Sequence, residues 1–261
     1  MSRQIGRLVN IKGPWTPWLI KAFAWFYSIN LAEAEHPVAV YACLGDFFAR
    51  KLRAGARPLA DSWAVHPADS RISEFGIIDR GTLIQAKGQN YGLVPLIEEP
   101  AAFAKYDQGY FVTYYLCPTD YHRVHAPVSG FIRSVTYIPG DLWPVNSWST
   151  QNVPKLFTTN ERVYVEIATE YGPIGVVFVG ATNVGSIVLP FALDLQTNQR
   201  EKASRTVFEI PIEVAKGSEL GTFRMGSTVV LLMSPEIRAK IPSLNVKKGS
   251  AVRVGTALLS I

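Results

Sequence analysis

Residues 162–179 read RVYVEIATEYGPIGVVFV. Two apolar runs rich in β-branched residues flank the segment Glu-Tyr-Gly-Pro, a pattern typical of two strands joined by a turn. Runs of the same kind occupy residues 111–116, 131–138 and 228–233, with glycine, proline and asparagine between them. Residues 246–258 repeat a strand-glycine-strand rhythm near the C-terminus. The pattern predicts a mainly antiparallel β core, arranged as a barrel-like sandwich.

The N-terminal part has a different periodicity. Apolar residues recur at helical spacing over residues 18–29. A second helical segment is expected over residues 37–53, because its first residue is a proline, which fits the first turn of a helix. We therefore predict an α+β fold, with a helical region in residues 1–55 and a β-rich domain in residues 56–261.

The net charge of +5 is concentrated at the N-terminus. Arg3, Arg7, Lys12 and Lys21 all precede the first acidic residue, Glu33. Three of the six tryptophans lie in the same segment, at positions 15, 18 and 25. Basic charge, tryptophan and an apolar face together predict a helix that lies on an anionic bilayer. The alternative is a helix packed on the protein's own core, with its lysines and arginines in water.

Other features exclude several classes of protein. The apolar run at residues 22–27 is far shorter than the roughly 18 residues that a membrane span requires. The basic excess is confined to one apolar segment, which argues against a nucleic-acid partner. With 48% hydrophobic and 18% charged residues, the chain is not disordered. Two cysteines are too few for a disulfide scaffold or a four-cysteine zinc site, and they fit a reducing, cytosol-facing environment.

Two short patterns bear on chemistry. His122 and His125 form an H-x-x-H pair, but no third or fourth ligand follows at zinc-like spacing, and residues three apart in a strand face opposite sides. The alternative is two partly exposed turn histidines. Gly-Ser occurs four times, and Gly226-Ser227 differs in directly preceding the apolar run at residues 228–233. The sequence has no G-x-S-x-G elbow, G-x-G-x-x-G fingerprint or P-loop.

A longer series of motifs runs in order through most of the chain. They are FF (47–48), GARP (55–58), PAD (67–69), QAKGQNY (85–91), YHRVH (121–125), PGDL (139–142), NVPKLF (152–157), NER (160–162), VGATNVG (179–185), KGSELG (216–221) and MGST (225–228). Over roughly residues 45–260 the sequence resembles the phosphatidylserine decarboxylases, a family of pyruvoyl-dependent enzymes that are made as self-processing proenzymes.

The resemblance implies that the chain cuts its own Gly226–Ser227 bond. The products would be a β chain of residues 1–226 and an α chain of residues 227–261, which stay associated. Ser227 would become an N-terminal pyruvoyl group, so that neither a metal nor pyridoxal phosphate is needed. In the family pattern His125 is the base that activates Ser227, and Asp69 is its orienting carboxylate.

The implied reaction converts phosphatidylserine to phosphatidylethanolamine and carbon dioxide. The substrate amine forms a Schiff base with the pyruvoyl ketone, which then acts as an electron sink. His122 is the candidate that donates a proton to the α-carbon after carbon dioxide has left, and His125 could share that task. We expect a peripheral protein on the cytoplasmic face of a bacterial cell membrane, with the anionic membrane surface as a partner; a homo-oligomer is left open.

Two residues depart from the family pattern. Ser70 follows Asp69 where glycine is usual, and Met225 replaces the usual leucine before the Gly-Ser bond. Neither change removes a reacting atom, so we expect self-cleavage to survive both. Two alternatives stay open at this point. One is a pyruvoyl decarboxylase of another amino acid or serine phospholipid, and the other is a non-enzymatic lipid-binding module whose Gly226–Ser227 bond stays intact.

Overall fold

Strand pairing follows the apolar runs of the sequence. The computed structural model describes residues 10–86, 88–182, 186–195, 197–198, 202–224, 227–241 and 243–259. The strands are β1 (Ser70–Ile77), β2 (Thr82–Ala86), β3 (Gln89–Gly92), β4 (Tyr110–Leu116), β5 (Arg123–His125), β6 (Gly130–Ile138), β7 (Arg162–Thr169), β8 (Gly172–Val179), β9 (Ile187–Val188), β10 (Ser204–Val214), β11 (Glu219–Phe223), β12 (Ser227–Met233) and β13 (Ala251–Val252).

Eight strands form one open antiparallel sheet in the order β10-β6-β7-β8-β12-β4-β1-β13. Residues 162–179 form its β7–β8 hairpin, in which Thr169 pairs with Gly172. Gly172 has φ +131°, a conformation that side chains rarely adopt, and a Cβ there would lie 2.3 Å from Ser234 Oγ. All seven residues of β12 are buried, between β8 and β4. The predicted antiparallel β core is confirmed.

Two smaller sheets complete the β structure. The order β5-β11-β9 forms a three-stranded antiparallel sheet, and β2 pairs with β3 in a hairpin. Strand β11 ends at Phe223, four residues before Ser227 begins β12. The small sheet therefore adjoins the start of a central strand of the large one.

The helices are short apart from the first. They are α1 (Thr16–Phe26), α2 (Leu44–Phe48), α3 (Leu93–Ile97), α4 (Ala102–Tyr106), α5 (Ser147–Asn152), α6 (Leu156–Thr159) and α7 (Pro235–Lys240), with 3-10 turns at Leu31–Glu33 and Val38–Val40. The helical N-terminal region is confirmed.

The second helical segment, predicted over residues 37–53, is only partly helical. A 3-10 turn and the five-residue α2 occupy that stretch, separated by Cys43 in an extended conformation. At its end Leu52 forms a β-bridge with Ala34, and Arg53 donates its backbone N–H to the Glu33 carbonyl at 2.9 Å. Pairing with a distant segment overrides the local helical pattern there.

Helix α1 buries only one narrow face. Ile20 and Ala24 pack in a small cluster with Phe47 of α2, separate from the main core. Trp18 and Trp25 are 80% and 83% exposed. No helix among the described residues is long and apolar enough to cross a membrane. The structure thus leaves the aromatic face of α1 without a partner among the described residues.

Candidate active site

Ser227 lies at the junction of the two larger sheets. It begins β12, is fully buried, and pairs with Leu116, the last residue of β4. Its Oγ has no hydrogen-bond partner among the described residues. Gly226 and Met225 lie outside the described residues, so the bond predicted to be cleaved is located only by its serine side.

His122 is fixed beside the segment that leads to Ser227. It follows β4 through residues 117–121, and its carbonyl accepts the N–H of Phe223 at 3.0 Å. The ring packs on Phe48 with centroids 4.0 Å apart. The Asp120 carbonyl can only accept, so His122 Nδ1 donates to it, at 2.8 Å. The other nitrogen, Nε2, is buried and has no partner among the described residues.

Burial lowers the pKa of His122 to about 3. Desolvation disfavours the charged imidazolium, and no carboxylate forms an ion pair with the ring among the described residues to offset it. At neutral pH the ring is therefore uncharged, and its Nε2 lone pair accepts a proton only weakly and gives it up readily.

His125 has both ring nitrogens engaged. It ends β5 opposite Glu219 of β11, and Nδ1 donates to the Gly217 carbonyl at 2.7 Å. Nε2 therefore accepts from the hydroxyl of Tyr121, 3.0 Å away. Burial lowers the pKa of His125, while the Gly217 carbonyl and the charges of Glu219 and Asp69 partly oppose that effect. His125 is thus an uncharged base whose lone pair is held by a tyrosine.

Asp69 is held by an arginine clamp. Its carboxylate accepts from Arg57 Nε at 3.0 Å and Nη2 at 2.6 Å, and from the backbone N–H of Val254 at 2.9 Å. Arg57 also bonds Glu33 at 2.9 Å, which ties the helical region to the site. Burial opposes the charge of Arg57, but the bonds and charges of Asp69 and Glu33 outweigh it and raise its pKa.

Asp69 and His125 lie near each other, and His122 lies beside the segment that leads to Ser227, but among the described residues these four side chains do not form one hydrogen-bonded chain. Asp69 and His125 each bond other partners, and the carboxylate acts on the imidazole through its charge. The backbone joins them more closely, because the N–H of His125 donates to the Pro67 carbonyl at 2.8 Å. The catalytic roles of Asp69, His122, His125 and Ser227 stay predictions.

Two cavities flank this region and meet at Arg71 and Cys117. The first, about 370 Å³, lies between the end of α1 and Asp69. The second, about 540 Å³, is lined by Thr228 and by residues of α5. Among the described residues no group of three or more His, Cys, Asp or Glu side chains is placed to hold a metal ion.

Sequence reasoning missed Arg57 and Tyr121 as neighbours of the site. Both residues lie inside motifs shared with the family, GARP and YHRVH, and that position is the feature of the sequence that could have indicated them. Ser70, which stands where glycine is usual in the family, fits the start of β1. Ser70 begins β1 opposite Val252, and its Oγ donates to the Ala68 carbonyl at 3.3 Å.

Comparisons with known proteins agree on one family. The family model described as phosphatidylserine decarboxylase matches residues 44–260. The chain belongs to the phosphatidylserine decarboxylase family. It is 42% identical over 231 residues to the phosphatidylserine decarboxylase proenzyme of Methylobacillus flagellatus, covering 87% of this chain and 82% of that protein.

Two further relatives match over nearly the full length. The phosphatidylserine decarboxylase proenzyme of Hamiltonella defensa is 39% identical over 269 residues, which cover 99% of this chain and 92% of the relative. That of Yersinia pestis is 40% identical over 268 residues, covering 99% and 91%. The helical N-terminal region is thus included in the similarity to these phosphatidylserine decarboxylases, whose name marks them as precursors.

Proposed function

We propose that this protein converts phosphatidylserine to phosphatidylethanolamine and carbon dioxide with a pyruvoyl group made from its own Ser227. Family membership supports the reaction. The observation that supports the site is the buried Oγ of Ser227, which has no partner among the described residues at the start of a central strand. Such a hydroxyl is poised for chemistry because no structural bond has to be broken to use it.

Self-cleavage uses atoms of the chain and one water molecule. Ser227 Oγ attacks the carbonyl carbon of Gly226 while a base takes its proton, the C–N bond breaks, and the nitrogen is protonated. The resulting ester loses its α-proton and then the carboxylate of residue 226. The dehydroalanine left at the new N-terminus tautomerises, and water replaces its nitrogen, which leaves as ammonia.

The pyruvoyl group, once made from Ser227, would supply a ketone to bind the substrate amine and to serve as the electron sink for loss of carbon dioxide. The chain's own side chains handle the protons. His125, as an uncharged base, is the proposed acceptor for the Ser227 proton, and Asp69 acts on it through its charge. His122 Nε2, once protonated, is the proposed donor of the proton that replaces the lost carboxylate on the α-carbon. Water is excluded from His122, which is fully buried.

The exposed aromatic face of α1 supports an anionic membrane surface as partner. Trp15, Trp18, Trp25 and Phe26 are each more than half exposed, and Leu19 is 45% exposed. Tryptophan is favoured at membrane interfaces, where its ring contacts lipid and its N–H stays in a polar layer. We place the protein at the cytoplasmic face of a bacterial cell membrane, with α1 lying on the lipid.

The experiment is a decarboxylation assay on phosphatidylserine vesicles with wild type, Ser227→Ala and His122→Ala. Wild type should release carbon dioxide and form phosphatidylethanolamine, and Ser227→Ala should do neither. His122→Ala should still be cut into two chains but decarboxylate at least about a hundredfold more slowly, because only proton donation to the α-carbon is lost. Turnover by Ser227→Ala equal to wild type would overturn the proposal, as would two-chain wild type that acts on a different amine and leaves phosphatidylserine intact.

A further inference from the structure

The cavity of about 540 Å³ beside β12 is built on a row of three strands. Thr228, Tyr115 and Arg71 all line it. Arg71 of β1 lies opposite Tyr115 of β4, and Tyr115 lies opposite Thr228 of β12. Directly opposed residues share one face of a sheet, so the three side chains stand side by side along the cavity. One end of the row is Thr228, which follows Ser227. Neighbouring strand residues face opposite sides, so residue 227 can turn toward this cavity only after cleavage has made it a chain end.

Two buried polar atoms in this cavity have no partner among the described residues. They are Thr228 Oγ1 and Gln85 Oε1, on side chains that are 1% and 2% exposed. Gln85 is held from the other side, because its Nε2 donates to the carbonyls of Thr150 at 2.9 Å and Val153 at 2.8 Å. Buried polar atoms are normally hydrogen-bonded, so a polar ligand is the expected partner of both.

Arg71 supplies a positive charge at the other end of the row, where its side chain also interacts with the Cys117 thiol and with the charge of Asp120. Its Nη1 makes a long hydrogen bond to the Gly249 carbonyl, at 3.5 Å, and no carboxylate among the described residues lies within ion-pair distance of it. Arg50 lines only the first cavity and forms no ion pair among the described residues, whereas two other cations at the cavities are paired. Lys248 pairs with Glu74, and Arg57 pairs with Asp69 and Glu33.

We propose that this cavity binds the phosphoserine headgroup of the substrate. Arg71 contacts the phosphate, and Gln85 and Thr228 contact the serine part of the headgroup. The proposal rests on the proposed function, because that function places the reacting carbon at Ser227. Standard bond lengths put the phosphorus about 5 Å from the amine nitrogen. Arg71 and Thr228 lie on strands that are two strand spacings apart, so their Cα atoms are roughly 10 Å apart. The headgroup and the arginine side chain together can span that distance. The planar guanidinium matches two phosphate oxygens.

The test measures KM and kcat on monomeric short-chain phosphatidylserine for wild type, Arg71→Gln, Arg71→Lys and the control Arg253→Gln. Arg253 is an exposed arginine that lines the neighbouring cavity but not this one. Arg71→Gln should raise KM about tenfold or more with kcat little changed, and Arg71→Lys should recover part of the loss. The inhibition constant of glycerophosphoserine should rise by the same factor, whereas Arg253→Gln should match wild type.

Cleavage into two chains, read by mass spectrometry, reports that each variant has an assembled site. Absence of turnover by two-chain wild type would overturn the proposed function, whatever Arg71 does. Turnover by wild type with an unchanged KM and inhibition constant in Arg71→Gln would overturn the headgroup site alone. If Arg71→Gln is not cleaved into two chains, the KM and the inhibition constant of Arg71→Lys are compared with those of wild type instead, and unchanged values would again overturn the headgroup site. A KM like wild type with a lowered kcat would show that Arg71 is only structural.

Discussion

Thr228 Oγ1 is a buried hydroxyl without a partner among the described residues, and such a group costs stability. Leaving a buried polar atom unsatisfied costs about 1–3 kcal/mol, while an isosteric apolar replacement removes that cost. Thr136 on β6 is a natural control, because its hydroxyl is also buried and unpartnered among the described residues but does not line the cavity.

We predict that Thr228→Val raises the free energy of unfolding by about 1 kcal/mol in the uncleaved Ser227→Ala background. Thr136→Val should do the same. Urea denaturation measures both changes. In the active enzyme only Thr228→Val should raise KM, because only that hydroxyl meets substrate. A loss of stability in Thr228→Val would show that the hydroxyl has a partner that the account lacks.

At this scale the motifs give residue types but not their contacts. Ser227, His122 and His125 could be singled out only through the family resemblance, because the short patterns alone leave four Gly-Ser pairs and two histidines that could lie in a turn. The clamp of Arg57 on Asp69 and Glu33 could not, since it joins residues 12 and 24 positions away in the sequence. The occupied ring nitrogens of His125 likewise depend on Gly217, which is 92 positions away.

At the scale of elements, strands were predictable and the second helical segment was predictable only in part. The runs at residues 111–116, 131–138 and 228–233 match β4, β6 and β12 closely, because buried strands require β-branched and aromatic residues wherever they lie. The stretch over residues 37–53 has a helical pattern, but its end pairs with the chain at residues 33–34. A contact of that kind leaves no local signal.

Helix α1 gives the prediction for membrane binding. The double variant Trp18→Ser/Trp25→Ser, in the Ser227→Ala background, should bind anionic vesicles at least about tenfold more weakly, because two large apolar side chains leave the lipid. Ile210→Ser is the control, because Ile210 is an apolar residue that is 86% exposed but lies outside α1. It is on β10, the edge strand of the large sheet opposite to β13. Co-sedimentation with vesicles measures binding. Equal sedimentation of the double variant and wild type would contradict the role given to α1.

At the scale of the whole molecule, buried histidines tie stability to pH. Burial lowers the pKa of His66 to about 4 and that of His122 to about 3, from 6.5. Below about pH 6.5 these two histidines are protonated in the unfolded chain but stay neutral in the folded chain. The free energy of unfolding therefore falls as the pH drops below about 6.5. Each histidine contributes about 1.4 kcal/mol per pH unit until the folded pKa is reached.

We predict that His66→Gln makes the free energy of unfolding less dependent on pH between about pH 6 and pH 5. The slope should fall by the contribution of one histidine, about 1.4 kcal/mol per pH unit. The measurement is urea denaturation of the Ser227→Ala chain, with and without His66→Gln, across that range. Lost packing and the lost bond to the Tyr114 hydroxyl, 3.1 Å from Nδ1, will lower stability at every pH, so the slope is the readout. An unchanged slope would show that His66 is charged in the folded protein.

The most direct test of the account is the intact mass of wild type beside Ser227→Ala. Wild type should separate into chains of 226 and 35 residues. The shorter chain should be lighter than one beginning with serine by the mass of one ammonia molecule, and Ser227→Ala should stay whole. A wild-type chain that stays whole in the presence of phosphatidylserine vesicles would contradict the account, and so would a short chain that begins with serine.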